Sequence, residues 1–274
     1  QELSQKGKQA ALKIKPHAFF EPKNAELITP MNYDEHLNNI EGCDWVVEVI
    51  AERLDWKKDL YKKIESHNID SLIITSNTSG LSASDLVDGL SDNFKKRFFI
   101  THFFNPPRYM KLVEVIKTDF TDNSYITPIT SFLEDNLGKG VVYAKDTPNF
   151  IANRIGVYGM MVTLDEAYKR KISIEDVDTL TGAIIGRPKS ATFRTADIVG
   201  LDTMKFVAET AYNKCLNDPE REIFKLPEYL LKMIDNGWLG QKTKQGFYKK
   251  IDKKVIHSIN MQTLEYQPME KKRY

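Results

Sequence analysis

The stretch "DWVVEVIAERLDWKKDLYKKIESHNIDSLIITSNTSG", residues 44–80, decides the fold that we expect for the first half of the chain. Its apolar runs "WVVEVI" and "SLIITS" have the length of strands, and an amphipathic segment from about Asp55 to His67 joins them. Nearly continuous apolar strands that alternate with helices are typical of a parallel sheet covered on both faces. This pattern predicts an α/β domain.

The pattern continues to about residue 145 and then changes. "RFFITHFF", "KLVEVI" and "GVVYA" indicate further strands, and a helix is expected near residues 124–137. From Ala152 onward the periodicity is mainly helical: residues 152–171, residues 174–185, "DTMKFVAETAYNKCL" and "PEYLLKMIDN" each predict a helix. The fold class expected is therefore α/β followed by all-α.

Composition excludes several classes of protein. The 274 residues suit about two domains, and 41% hydrophobic with 28% charged residues is ordinary for a globular protein. A formal net charge of +1 gives no reason to expect a nucleic-acid partner. The only cysteines, Cys43 and Cys215, argue against a disulfide framework or a cysteine-based zinc site, and no other pattern indicates a metal. Residues 1–15 lack a signal-peptide core and no apolar run approaches about 20 residues, so we expect a cytoplasmic protein without a membrane span.

Polar residues follow two of the predicted strands. Glu52 and Lys57 come after the first, and the second ends in "SNTSG", which contains Asn77 and Ser79. Ligands of open α/β sheets bind beyond the carboxyl ends of the strands, so one crevice could collect these side chains. Each also has a structural explanation, because Asn and Ser are common turn and capping residues, an acidic residue in a first helical turn complements the helix dipole, and a lysine can be a solvated surface charge.

His102 and Glu114 are the most informative pair. A glutamate inside "KLVEVI" pays a large desolvation cost unless it has a partner, and a histidine on the adjoining predicted strand can supply one. A carboxylate that orients an imidazole and stabilises its protonated form suits a general base near neutral pH. The alternative is a buried pair that only fixes a loop.

Four motifs in this order resemble the L-3-hydroxyacyl-CoA dehydrogenase family: "SNTSG", "HFFNPPRYMKLVEVI", "KDTPNFIANRIG" and "GLDTMKF". The resemblance extends from about residue 40 to "KTKQGFYKK" at residues 242–250. It implies a Rossmann-type domain that holds NAD (residues 1–146) and a helical domain (residues 147–250) that completes the active site and forms a homodimer. The implied substrate is a 3-hydroxyacyl-CoA.

By matching motif, the resemblance also implies roles for individual residues. His102 corresponds to the catalytic base and Glu114 to the acid that orients it. Ser79 and Asn153 correspond to groups that hold the substrate oxygen. The residues implied on the cofactor side are Glu52, Lys57, Asn77 and Lys242.

One departure from the family concerns the phosphate-binding loop. A dinucleotide-binding domain should open with a strand and a G-x-G-x-x-G loop that leads into a helix. None of the 14 glycines has this arrangement, and "GKG" at residues 138–140 precedes a strand. We therefore expect that the N-terminal part of the Rossmann-type domain is missing from this polypeptide and that these residues alone bind NAD weakly.

Residues 251–274 extend past the family resemblance. They are expected to be either a charged, solvated terminus or a linker toward a further module, similar to β-oxidation proteins that carry an enoyl-CoA hydratase. Two alternatives to a dehydrogenase acting on acyl-CoA remain open. One is a non-catalytic module for acyl-CoA binding or dimerisation, and the other is a related hydroxyacid dehydrogenase whose substrate carries no CoA.

Overall fold

The computed structural model describes residues 2–252 and 255–269, and the chain forms two compact units, Gln1–Phe150 and Ile151–Tyr274. The division lies four residues after the boundary that the sequence predicts at residues 146–147. Each unit has its own hydrophobic core. None of the helices in the described ranges is both long and apolar enough to cross a membrane.

The first unit alternates helices and strands. Its helices are α1 (Glu2–Lys13), α2 (Tyr33–His36), α3 (Leu54–Glu65), α4 (Ala83–Val87), α5 (Asp92–Lys96) and α6 (Asn123–Ser131). Its strands are β1 (Trp45–Glu48), β2 (Ile73–Ser76), β3 (Phe98–Phe103), β4 (Leu112–Lys117) and β5 (Gly140–Ala144). Short 3-10 segments cover Pro22–Leu27 and Leu37–Gly42, and a π-helical turn, Phe132–Asn136, extends α6.

The five strands form one sheet in the order β1-β2-β3-β4-β5. All neighbours are parallel except β3 and β4, which are antiparallel. The sheet is therefore mainly parallel, as predicted, and contains one antiparallel pair that the sequence did not predict. Only residues 104–111 connect β3 to β4, and a parallel connection needs about a dozen residues or more.

Both faces of this sheet are covered. Neighbouring residues on β2 point to opposite sides, so Ile74 packs in one buried cluster with Tyr61 of α3, whereas Ile73 packs in another with Ile129 of α6. Burial on both sides explains why these strands are apolar almost throughout, and it confirms the predicted α/β architecture.

The second unit is mainly helical. Its helices are α7 (Ala152–Lys169), α8 (Ile174–Leu180), α9 (Phe193–Val199), α10 (Leu201–Lys214) and α11 (Glu228–Asp235), with 3-10 turns at Ala183–Ile185, Arg221–Phe224 and Gln241–Thr243. The apolar faces of α7 and α10 meet in its core, where Leu164 and Ala208 are fully buried.

A three-stranded antiparallel sheet completes the second unit. It consists of β6 (Tyr248–Lys250), β7 (Ile256–Ile259) and β8 (Tyr266–Pro268) in that order. The second unit is thus mainly helical, as predicted, and also carries a small sheet that the sequence did not predict, with β7 and β8 lying within residues 251–274. Ile259 and Met261 are each 3% exposed because they pack into the core of the unit. Residues 253–254 and 270–274 of the predicted tail lie outside the described residues.

Candidate active site

The antiparallel pairing of β3 and β4 places His102 directly opposite Glu114. Directly opposed residues on neighbouring strands have Cβ atoms about 5 Å apart, within reach of a side-chain hydrogen bond. His102 Nδ1 lies 2.8 Å from Glu114 Oε2. The residues are 3% and 0% exposed, so the bond forms away from bulk water.

Ser79 lies on the other side of the imidazole. It follows β2, the parallel neighbour of β3, and its Oγ is 3.1 Å from His102 Nε2. A carboxylate only accepts hydrogen bonds, so Nδ1–H donates to Glu114 and a neutral His102 keeps a lone pair on Nε2. The geometry therefore directs the basic nitrogen of the ring toward the Ser79 hydroxyl.

Aromatic rings surround the histidine. The centroid of the His102 ring is 4.5 Å from that of Phe104 and 5.7 Å from that of Phe150. Apolar walls exclude water and strengthen the interaction between the imidazole and the carboxylate. The Phe-rich context of the sequence thus provides a dry environment for a titratable pair.

Glu52 supports the loop that carries Ser79. Its Oε1 accepts hydrogen bonds from the Thr78 hydroxyl at 2.6 Å, from the Ser79 amide at 3.0 Å and from the Gly80 amide at 3.2 Å. Glu52 was predicted as a contact of the cofactor. In the structure its carboxylate organises the turn that follows β2.

Lys57 differs from its predicted role. It is 1% exposed, and its ammonium donates to both carboxylate oxygens of Glu48, at 2.7 and 2.9 Å, and to the Ile50 carbonyl at 3.2 Å. Three acceptors use the three protons of the ammonium. We therefore correct the predicted cofactor contact to an internal ion pair.

Sequence reasoning missed Glu48, although a signal for it was present. The run "WVVEVI" places a glutamate among apolar residues in the same way as "KLVEVI" does for Glu114. The desolvation argument that singled out Glu114 applies equally to Glu48, which is 2% exposed.

The remaining predicted residues lie in different surroundings. Asn77 Oδ1 accepts the Phe103 amide at 2.8 Å, so it links the end of β2 to the end of β3. Asn153 and Lys242 belong to the second unit. Asn153 is in the first turn of α7, and Lys242 forms an ion pair with Asp202. The structure thus brings six of the eight predicted residues together in the first unit, the other two lying in the second.

The second unit contains a buried carboxylate that the sequence did not reveal. Asp197 is 5% exposed, and its two oxygens accept the amides of Phe247 and Tyr248 at 2.8 and 2.9 Å. Burial raises the pKa of Asp197 to about 6. These bonds join α9 to the strand β6, so the group has a structural role.

Apolar and hydrogen-bonding side chains lie next to each other at the carboxyl ends of β1 and β2. Val49 and Ala51 are exposed there, and the side chains of Glu52, Asn77 and Ser79 are partly accessible beside them. This edge combines apolar surface with hydrogen-bonding groups, as cofactor sites do. In the described part of the chain, the first strand of the sheet is β1, and it leads into α3 through "VIAERL", without glycine.

Two family models match the chain. Residues 1–147 match the model described as 3-hydroxyacyl-CoA dehydrogenase, NAD binding domain, and residues 150–250 match the model described as 3-hydroxyacyl-CoA dehydrogenase, C-terminal domain. The two matches follow each other in the order of the two structural units.

Relatives with similar sequences have been named for the same activity. A probable 3-hydroxyacyl-CoA dehydrogenase of Bacillus subtilis (strain 168) is 46% identical over 264 residues, which cover 96% of this chain and 33% of that protein. A probable 3-hydroxyacyl-CoA dehydrogenase of Deinococcus radiodurans is 44% identical over 248 residues, which cover 90% of this chain and 71% of that protein. The chain therefore spans about a third of the Bacillus relative. Among solved structures, M. tuberculosis FadB2 aligns with a TM-score of 0.80 and 25% identity, covering 91% of this chain and 87% of that one.

Proposed function

Since the chain belongs to the 3-hydroxyacyl-CoA dehydrogenase family, we propose that it oxidises the 3-hydroxyl of an L-3-hydroxyacyl-CoA to a ketone. The family model of residues 1–147 is an NAD-binding domain, and NAD is the cofactor. The reaction belongs, in this proposal, to fatty-acid β-oxidation, where a 3-ketoacyl-CoA is the form that can be cleaved between C2 and C3.

The His102–Glu114 pair is the observation that carries the proposal. Oxidation of a secondary alcohol removes a proton from the hydroxyl and a hydride from C3. His102 Nε2 accepts the proton, and the carboxylate of Glu114, 2.8 Å from Nδ1, stabilises the imidazolium that results. Bound NAD would supply the acceptor for the hydride.

Ser79 aligns the substrate in this mechanism. Its hydroxyl is 3.1 Å from His102 Nε2. A substrate hydroxyl that hydrogen-bonds to both groups, or that replaces the Ser79 hydroxyl at Nε2, is therefore held close to the base. By matching motif, Asn153 is also proposed to contact the substrate oxygen. Glu52, Asn77 and Lys242 are proposed to line the cofactor site, Glu52 through the loop that it organises.

The proposal extends to assembly and location. We propose a homodimer formed through the second unit, because large apolar side chains are exposed on it, including Ile184, Ile198 and Phe206 at 65%, 55% and 49%. Free cysteines at positions 43 and 215 are compatible with the reducing cytoplasm that we propose as its compartment. Sedimentation velocity would test the dimer, and a single monomeric species at micromolar concentration would contradict it.

The activity itself can be tested with both enantiomers of one substrate. Purified protein at saturating NAD is mixed with L- or D-3-hydroxybutyryl-CoA, and NADH formation is followed by absorbance. We expect NADH from the L-enantiomer only. Equal turnover of free 3-hydroxybutanoate would favour the hydroxyacid dehydrogenase instead. Binding of acyl-CoA without any NADH would favour the non-catalytic module.

A further inference from the structure

Glu48 is a buried charge that the proposed chemistry does not use. It is the last residue of β1 and is 2% exposed. Its Oε1 accepts the Ile50 amide at 2.6 Å and the Lys57 ammonium at 2.7 Å, and its Oε2 accepts the hydroxyls of Tyr61 and Ser76, each at 2.7 Å. One carboxylate thus joins β1, the loop after it, α3 and the end of β2.

A buried ion pair of this kind is weak evidence of a stabilising role. Desolvation of both ions offsets most of their attraction, and apolar residues of similar volume often give equal stability. The Glu48–Lys57 pair does provide directed contacts that apolar side chains cannot make. Lys57 also lies 3.7 Å from Glu52 Oε2, so a single ammonium stands between two carboxylates.

Two routes of polar contacts lead from Glu48 to the loop that carries Ser79, one made of hydrogen bonds and one that includes an ion pair. In the first, Ser76 Oγ donates to Glu48 and accepts the Thr78 amide at 3.2 Å. In the second, the Lys57 ammonium forms an ion pair with Glu52. Glu52 Oε1 in turn accepts the Ser79 amide at 3.0 Å. Both routes end on the loop whose Ser79 hydroxyl contacts His102 Nε2.

We propose that Glu48 is a positioning residue that places Ser79 against His102. The buried pair that it forms with Lys57 fixes the loops after β1 and β2 relative to each other. The proposal rests on the proposed function, in which Ser79 aligns the substrate hydroxyl. A displacement of about 1 Å at such a position can reduce turnover on the order of 100-fold.

The test removes both charges of the pair together. The double variant Glu48→Gln, Lys57→Met leaves no unpaired buried ion, and Tyr61→Phe is the matched control, because it removes a hydrogen bond to the same carboxylate without touching either loop. We expect kcat to fall about tenfold in the double variant and less than about twofold in the control. Equal effects in both would overturn the proposal.

A mutant cycle with Ser79→Ala separates positioning from general destabilisation. If Glu48 acts through Ser79, the double variant changes kcat by less than about twofold once Ser79 is alanine. If the double variant lowers kcat by the same factor with Ser79 present and on the Ser79→Ala background, the proposal is overturned. If the double variant does not fold, Ser76→Ala interrupts the first route with all charges kept, and its loss of kcat is expected to vanish on the Ser79→Ala background in the same way.

A spectroscopic measurement keeps this inference distinct from the proposed function. A wild-type protein that forms no NADH would contradict the proposed function alone. The ¹⁵N chemical shift of His102 Nε2 still reports the Ser79 contact by NMR. We expect the double variant to change this chemical shift when Ser79 is present. On the Ser79→Ala background, the double variant is expected to leave the shift unchanged. A shift that the double variant leaves unaltered would overturn the inference.

Discussion

Glu114 orients the His102 ring and places a negative charge beside it. In Glu114→Gln the amide keeps a hydrogen-bond acceptor but loses the charge, so the imidazolium is less stabilised. We therefore expect kcat to fall about tenfold or more, because the imidazolium forms less readily when it accepts the alcohol proton. A variant with the wild-type kcat would count against the pairing.

Single residues were predictable where burial conflicts with charge. Glu114 was found because an apolar run surrounds it, and the same reasoning would have identified Glu48. Lys57 was misassigned because its position in the first turn of a predicted helix says nothing about what lies beneath it. The acceptor Glu48 is nine residues away in sequence, and only the packing of α3 on the sheet brings the two together.

At the scale of elements, α9 and β6 fit together so closely that only glycine is accommodated at residue 246. A Cβ atom there would be 2.1 Å from Asp197 Oδ1. We expect Gly246→Ala to lower the free energy of unfolding by about 2 kcal/mol or more. Gly156→Ala, within α7 and with no atom within 4 Å of the added Cβ, is the matched control and should be neutral or stabilising by up to about 1 kcal/mol. Equal destabilisation by the two changes, measured by urea unfolding, would contradict this packing.

The same junction should give stability a dependence on pH. The pKa of Asp197, about 6 in the folded protein because of burial, exceeds the value of about 3.9 for an exposed aspartate. The folded state then binds the proton more tightly than the unfolded state, so this group's contribution to stability falls as pH rises from about 4 to about 6 and is constant above. Its size is on the order of 3 kcal/mol.

Urea unfolding of Asp197→Asn measures this contribution. When the pH is raised from about 4 to about 7, the free energy of unfolding of the wild type should fall more than that of the variant, or rise less. The variant should be less stable at every pH, because one amide oxygen cannot replace two carboxylate oxygens that accept backbone amides. Parallel profiles for the two proteins would show that Asp197 titrates as an exposed group.

The helices and strands of the first unit were largely predictable from the sequence. A strand buried on both faces is apolar throughout, and the apolar residues of an amphipathic helix recur every three to four positions. Strand direction was not predictable from those periods, and the short connection of residues 104–111 determines it instead. The strands β7 and β8 were missed because they are only four and three residues long and few apolar side chains, Ile259 and the adjacent Met261 among them, reach the core.

For the whole molecule, the sequence predicts weak binding of the dinucleotide. The 274 residues contain no G-x-G-x-x-G loop, so backbone amides at a helix N-terminus are not provided for the pyrophosphate in the usual way. We expect NADH to bind this chain with a Kd above about 10 µM. Fluorescence titration of NADH measures it, and low-micromolar binding would show that another part of the chain supplies the phosphate contacts.

The most direct test of the proposed reaction is the turnover of His102→Gln with an L-3-hydroxyacyl-CoA at saturating NAD. The amide fills a similar volume but cannot take the alcohol proton, and the rest of the pair and its loop stay in place. We predict a kcat reduced about 100-fold or more, with a folded protein by circular dichroism. A variant that turns over at the wild-type rate would contradict the central role of this imidazole.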